Sequence, residues 1–529
     1  MVKKTKKNDD QSLESVLYNC RVALRGYGST EKNRDAVIGL VFLKFAGDKF
    51  EARRKEIKEE YPDIPQLLDL KASYNSDNVY YLEEESRWSY ISKNSASNDI
   101  AVKIDEAMNQ IEDDNPSLKG ALPQKLYSTL GAPASKIKSL IDEINEISEE
   151  KFHEEDLIGR VYEYFLRIYA ASGTKDDGEF YTPSSLVKLI AELIEPYNGV
   201  VYDPCCGSGG MFVQSMKFVD RHKGNRDNIS IIGQESKPDT WKLCKMNLSI
   251  RGIAHDLGDT NASTFQNDLF KNRKVDYIMA NPPFNLKKWR DKDDLLDDPR
   301  FEGYPDPPVS NANYAWILHM ISKLDETDGR AGFLLANGAL NADGDEGKIR
   351  KEILEKDLVE AIIVLPRNMF YTTDISVTLW IINKNKRAQT LVGRELRNRE
   401  NEVLFVDLRT WDNNIETIEY DKGKRTKSVT FTDDEIEKVK EIYNSWQSDD
   451  SSYEDVAELC KSATIDDIRE NDYSLAPSKY IEFIDRDLDI DYEKEMTRIQ
   501  SEMKTLIKKE KESQKMLEEA FEGIGYDLN

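Results

Sequence analysis

The sequence predicts a doubly wound α/β sheet in the middle of the chain, with a helical domain before it and a helical extension after it. Three observations carry that prediction. From about Glu154, short apolar runs alternate with helical stretches. A Gly-rich turn and an Asn-Pro-Pro turn each follow an apolar run directly, and such sheets bind ligands at the carboxyl ends of their strands. Residues 12 to about 150 show helical spacing instead.

The elements follow in order. Residues 1–11 read as a disordered tail. Val37, Ile38, Val41, Phe42 and Phe45 recur at helical spacing, and Leu40 and Leu43 make that helix apolar nearly all round, as a helix buried in a bundle must be. Lys136 to Glu149 is a second amphipathic helix. Strands are expected at Val200–Asp203, Ile229–Gly233, Val275–Ala280, Ala331–Ala336, Val359–Leu365 and Val377–Ile382, with helices at Trp241–Ile250 and Ala315–Leu324 between them. Asn285 to Asn313 is long and polar and holds Pro299, Pro305, Pro307 and Pro308. A loop of that length in a compact domain is functional or disordered, and this one is placed to close over a substrate. After about residue 410 the sequence turns acidic and helical. Met496, Ile499, Met503 and Leu506 then follow three–four spacing, which suits a helix packed on a partner or folded back on its own subunit. The domains expected are a helical one at 12–150, an α/β one at 151–410, its C-terminal part with an acidic connection at 411–485, and a terminal helix at 486–529.

At 529 residues the chain is too long for one core of usual size. It has no apolar run long enough to span a membrane and no secretory signal at its start. Five cysteines without a CxxC pair argue against a disulfide framework or a zinc site and for a reducing compartment, the cytoplasm. The four histidines match no metal spacing. The net charge of −25 excludes a chain that grips nucleic acid by overall basicity. Basic clusters do occur at Lys287-Lys288 with Arg290, at Arg394 to Arg399 and at Lys422 to Lys427. They are either solvated loops or local contacts that leave most of a DNA grip to a partner.

Two turns carry the chemistry. Asp203-Pro204-Cys205-Cys206-Gly207-Ser208-Gly209-Gly210 joins a strand to a helix, and glycines there let backbone approach a ligand closely. The run lacks the third glycine of the dinucleotide fingerprint and instead places an acid four residues before its first glycine. It resembles the first motif of S-adenosylmethionine-dependent methyltransferases, whose cofactor has a cationic methionine end. Glu235, closing the next strand, can accept both ribose hydroxyls of an adenosine. Asn267 and Asp268 precede the third strand, where Asp268 can accept from the cofactor's adenine amino group.

Asn281-Pro282-Pro283-Phe284 resembles the Asn-Pro-Pro-aromatic motif of amino-methyltransferases. An exocyclic amino group is a poor nucleophile because its lone pair is delocalised into the ring. The Asn281 side chain and the Pro282 carbonyl, aimed at its two hydrogens, favour a localised lone pair, and proline fixes the backbone that places the carbonyl. Phe284 offers a face to a base, and stacking worth about 1–3 kcal/mol offsets part of the cost of flipping that base out of a duplex.

Glu179-Phe180-Tyr181-Thr182-Pro183 resembles the segment that covers the cofactor's methionine end, with the Gly173 to Gly178 approach as a flexible lid. Leu365-Pro366-Arg367-Asn368-Met369-Phe370-Tyr371 resembles the far wall of the base pocket, through Phe370 or Tyr371. The motif order, with no recognition domain inserted, is the gamma order of amino-methyltransferases. Leu24-Arg25-Gly26, Gly39 to Phe45, Asn311 to Trp316 and Tyr473 to Ile481 look like type I restriction–modification methyltransferase subunits, so the resemblance spans roughly residues 12 to 485. It implies a Rossmann-like methyltransferase sheet and transfer of methyl from S-adenosylmethionine to adenine N6 in double-stranded DNA, directly and without a metal. It also implies two such subunits with one specificity subunit, joined by a restriction subunit in the full complex. The rival readings are a methyltransferase of protein glutamine or RNA, a scaffold without turnover, and a nicotinamide dehydrogenase, the last opposed by the glycine pattern.

Overall fold

The computed structural model describes residues 13–75, 79–147, 164–165, 167–168, 182–370, 374–421, 423–450, 452–484 and 492–523. Seven helices come first: α1 (Leu13–Ala23), α2 (Thr30–Glu60), α3 (Ala72–Asn75), α4 (Trp88–Lys93), α5 (Ile100–Asp114), α6 (Leu126–Thr129) and α7 (Ala134–Asn145). The apolar run of α2 is indeed buried, from Val37 to Phe45, in one core shared with α1, α5 and α7. Ser29 caps α2 by accepting from the Lys32 N–H.

The strands are β1 (Gly199–Asp203), β2 (Ile229–Gly233), β3 (His255–Asp256), β4 (Tyr277–Ala280), β5 (Arg330–Ala336), β6 (Val359–Val364), β7 (Val377–Asn383), β8 (Gln389–Leu391), β9 (Arg394–Leu396), β10 (Glu402–Asp407), β11 (Ile415–Asp421), β12 (Lys424–Val429) and β13 (Cys460–Thr464). Nine of them form one sheet in the order β13-β10-β6-β7-β5-β4-β1-β2-β3. Most neighbours are parallel, β7 runs antiparallel between β5 and β6, and β13 is antiparallel to β10. The α/β expectation is therefore met. β5, β6 and β7 are buried along their whole length, as strands covered on both faces must be. On one face, α8 (Ser184–Ile194) lies so close to β5 that a side-chain carbon at Gly332 would meet Ile190 at 2.8 Å. On the other, Tyr314 of α11 (Asn313–Lys323) meets Trp380 of β7 edge-on, and Trp380 stacks on Phe333 of β5. The helices α9 (Gly210–Arg221) and α10 (Pro238–Ile250) follow β1 and β2, and α12 (Gly344–Glu355) precedes β6. α10 also carries the seam to the helical domain, through Tyr80, whose hydroxyl donates to the Ser249 carbonyl at 2.7 Å, and through Leu243 and Met246 in the helical core.

One expectation needs correction. The stretch after residue 410 is not simply helical. It holds the β11–β12 hairpin and β13 as well as α13 (Asp433–Gln447) and α14 (Ile465–Glu470). The less exposed positions of the hairpin, Glu416, Ile418, Thr426 and Ser428, are mostly polar, so its two-residue period carries no apolar signal. Residues 456–458 and 481–529 form a unit of their own, dominated by α15 (Tyr492–Gly523). Arg498 pairs with Glu495 and Glu502 along α15. Among the described residues no helix is long and apolar enough to cross a membrane, and no cluster of His, Cys, Asp and Glu could hold a metal.

Candidate active site

The chain runs outward from β1 to β2 and β3, then returns to lay β4 on the other side of β1. This reversal opens a crevice at the carboxyl ends of β1 and β4, where an open α/β sheet binds ligands. Register decides what meets there. Asp203 ends β1 opposite Gly233 of β2, and Tyr202 lies opposite Ile278 of β4. The turns that begin after Asp203, Gly233 and Ala280 are thereby brought together.

The Asp203 carboxylate is buried and accepts from the Cys205 N–H at 2.9 Å. Burial, with the Glu235 charge nearby, pushes its carboxyl up to about 7 against the backbone bond that lowers it. Glu235 reaches across, accepting from the Gly207 N–H at 3.1 Å and from the Lys237 N–H at 2.8 Å. Gly207 has φ +53° and nothing within 4 Å of where a side chain would begin, which leaves an open cradle beside two carboxylates. Gly209 has φ +83° for a different reason: a side chain there would meet the Cys244 sulfur at 2.9 Å. The Ser208 carbonyl accepts from the Asn247 side chain at 2.7 Å, and Gly210, exposed, opens α9. Such a cradle, lined by carboxylates, fits a nucleoside with a cationic end.

Asn281 extends from the end of β4. Its Nδ2 donates to the Thr182 hydroxyl at 2.9 Å. Its Oδ1 is buried and has no hydrogen-bond partner among the described residues. Buried acceptors are seldom left so, and this one is available to a ligand's donor. Pro282 is buried beside it. The half-buried Phe284 meets buried Phe370 edge-on, ring centres 5.8 Å apart at 89°. The Cys205 thiol lies within reach of the Asn281 backbone N–H, but burial and the Asp203 and Glu235 charges push it well above the usual thiol range. The Cys206 thiol is held high by its bond to Cys244 and by burial. Neither is a thiolate nucleophile.

Asp268 is committed elsewhere. One oxygen accepts from the Phe270 N–H at 3.0 Å and the other pairs with buried Lys323 at 2.6 Å. The side chain of Asn267, one residue earlier, is exposed, while its carbonyl accepts from Gln234. Gln234 is a residue the motifs did not single out. Fully buried, it also accepts from the Leu269 N–H at 3.1 Å and so ties the 267–269 turn to β2. Glu179, Phe180 and Tyr181, the Gly173–Gly178 approach and Tyr371 lie outside the described residues.

The segment after Phe284 is packed. Asn313 clasps its base, accepting from the Asn285 N–H at 3.0 Å and donating to the Asn285 side chain at 2.9 Å. The buried Arg290 donates to the carbonyls of Asp291, Lys292, Asp294 and Pro307. Trp289 packs on Phe265, which packs on Trp316. Arg300 ties the segment to the carbonyls of Thr264 and Phe265. Of the basic clusters, Arg394, Arg397 and Arg399 are spent on ion pairs with Glu195, Glu402 and Glu360.

Comparison with known proteins agrees with this geometry. The N-6 DNA methylase family model matches residues 153–488, and the HsdM N-terminal domain model matches residues 13–144. The methylase subunit of the type I restriction enzyme HindI from Haemophilus influenzae is 39% identical over 439 residues, covering 81% of this chain and 93% of that one. The MjaIX methylase subunit from Methanocaldococcus jannaschii is 35% identical over 533 residues, covering 97% and 91%. In fold, the chain is similar to the methyltransferase subunit of a type I restriction-modification system from Streptococcus thermophilus, with a TM-score of 0.72 at 24% identity over 89% of this chain and 99% of that one. Matched along nearly its whole length, the chain belongs to the N-6 DNA methylases: this is the methylase subunit of a type I restriction–modification system, an adenine-specific DNA methyltransferase.

Proposed function

We propose that the chain methylates N6 of an adenine flipped out of duplex DNA, using S-adenosylmethionine, in a cytoplasmic complex of two such subunits with one specificity subunit that reads the sequence and a restriction subunit that can join. The observation that carries this reading is the buried, unpartnered Oδ1 of Asn281, three residues before Phe284, whose ring meets Phe370. Asp203, Gly207, Ser208, Gly209, Gly210, Glu235 and Asn267 would hold the cofactor, with Thr182 and the Glu179–Tyr181 segment over its methionine end. When bound, the cofactor supplies an electrophilic methyl group on a sulfonium. The protein supplies placement. Asn281 Oδ1 and the Pro282 carbonyl accept the two amino hydrogens and localise the nitrogen lone pair. Phe284 and Phe370, set at right angles, offer one ring face and one ring edge to the base. Neither Asn281 nor Pro282 is a base, so their contribution is orientation and electrostatics. The net charge of −25 favours a specificity partner that provides much of the DNA grip.

The test is transfer of labelled methyl to unmethylated DNA by the chain alone and with its specificity subunit. Label on adenine N6 only with the partner supports the reading. No label on DNA in either case, with cofactor binding intact, would replace it with a protein or RNA substrate.

Asp203 makes cofactor affinity pH-dependent. Its folded carboxyl, near 7, lies above its ordinary 3.8, so the free protein holds a proton there at mildly acid pH. A cationic ligand favours the carboxylate, so binding releases that proton and weakens as pH falls through 7. Calorimetry without DNA should show affinity about tenfold lower near pH 6 than near pH 8. Asp203→Asn should bind more weakly and lose that dependence. An unchanged slope in the variant would remove Asp203 from the role.

A further inference from the structure

A side-chain amide presents an oxygen at one end and an NH2 at the other, nearly equal in size, and only its hydrogen bonds decide which way it faces. For a target amino group the choice is decisive. Oδ1 accepts one of its hydrogens, whereas Nδ2 would set donor against donor. At Asn281 one contact holds the amide, the 2.9 Å bond from Nδ2 to the hydroxyl of Thr182, 99 residues earlier in the chain; a hydroxyl can take either end of an amide, so this contact fixes the side chain in place and a ligand's donors select Oδ1. That contact leaves Oδ1 as the buried end without a partner.

Thr182 is itself held firmly. It precedes Pro183, whose ring fixes its own φ at −54° and restricts the residue before it. Pro183 in turn starts α8, and α8 is pressed against β5 at Gly332, where any side chain would collide with Ile190 and Ile194. β5 pairs in register with β4, the strand that delivers Asn281. Thr182 and Asn281 are therefore fixed against each other through one rigid layer of sheet and helix.

We propose that Thr182 is a positioning residue for the transfer: its hydroxyl accepts from Nδ2 and anchors the Asn281 side chain where Oδ1 can face the target amino group. This rests on the proposed adenine N6 reading and goes beyond the cofactor contact expected of Thr182.

The experiment uses the full chain with its specificity subunit and measures kcat at saturating S-adenosylmethionine, alongside cofactor affinity by calorimetry. Thr182→Val replaces the hydroxyl by a methyl of similar size and should lower kcat about ten- to a hundredfold, the worth of a hydrogen bond made to an amide in a buried site. Cofactor affinity, to which Thr182 is also expected to contribute, is measured so that kcat is compared at true saturation, and a native circular dichroism spectrum shows that the variant folds; Thr182→Ser, which keeps the hydroxyl, should keep kcat within about threefold. A Thr182→Val variant with unchanged kcat at saturating cofactor overturns the proposal, as does a serine variant no better than valine. If the wild-type complex places no label on adenine, the adenine reading itself has failed.

Discussion

Asn281→Ala is expected to lower methyl transfer to adenine by about a hundred- to a thousandfold, the range seen when one preorganised polar group is removed from the place where charge develops in a transition state. Cofactor binding should be little changed, because the cradle is built from β1 and β2 turns that do not use the Asn281 side chain. The physical reason is that an adenine amino nitrogen has no free lone pair in the ground state. The Oδ1 acceptor acts most when the nitrogen becomes tetrahedral and its hydrogens more acidic, so the loss belongs in kcat more than in KM. Single-turnover transfer of labelled methyl, with cofactor affinity measured separately, checks both halves. A variant that keeps most of its rate would show that the buried oxygen is not aimed at the reacting group.

A second large effect is expected in stability, at a distance from the chemistry. Arg399→Met should destabilise the α/β domain by about 3–5 kcal/mol, the usual penalty when one member of a buried ion pair is removed. The Arg399 and Glu360 side chains are both 0% exposed, with Nε 3.0 Å from Oε1. Glu360 also accepts from Asn383, Tyr443 and Gln447. Burial alone would raise its carboxyl, yet Arg399, with Arg330 and these bonds, holds it below the ordinary value. That sign means its stabilisation is present at neutral pH and lost as pH falls through the lowered value. Without Arg399 the burial term is left unopposed. Urea denaturation followed by tryptophan fluorescence should show an earlier midpoint for Arg399→Met, partly restored by adding Glu360→Gln. No change in midpoint would mean that the pair contributes nothing.

Where apolar runs were continuous the sequence was easy to read. β1, β2, β5, β6 and β7 lie within a residue or so of their expected places because strands buried over most of their length need mostly apolar runs. β3 has only His255 and Asp256 and no pattern to detect. β10 joins the sheet next to β6 and β13 next to β10, in pairings set by tertiary contact. In the site, the two turns announce themselves because glycine and proline are tied to local backbone geometry. The partners that decide what each side chain is free to do are distant. Lys323 takes Asp268 from 55 positions away, and Thr182 takes one end of Asn281 from 99. Glu360 interrupts an otherwise apolar strand. It sits at a register shift in the β6–β7 pairing and reaches the buried network of Arg399 and Tyr443.

The segment between Phe284 and Asn313 changes the thermodynamics expected of DNA binding. Its internal carbonyls already converge on Arg290, and its ends are already clasped by Asn313. The entropy lost in ordering its 28 residues, at about 1–2 kcal/mol each, was therefore lost when the chain folded and is not lost again on binding. A disordered lid that folds on its substrate carries a large negative heat-capacity change with it. On the proposed base-flipping reading, a segment already ordered leaves most of the rearrangement to the DNA, whose base leaves its stack, while the protein meets it with little of its own shape to change.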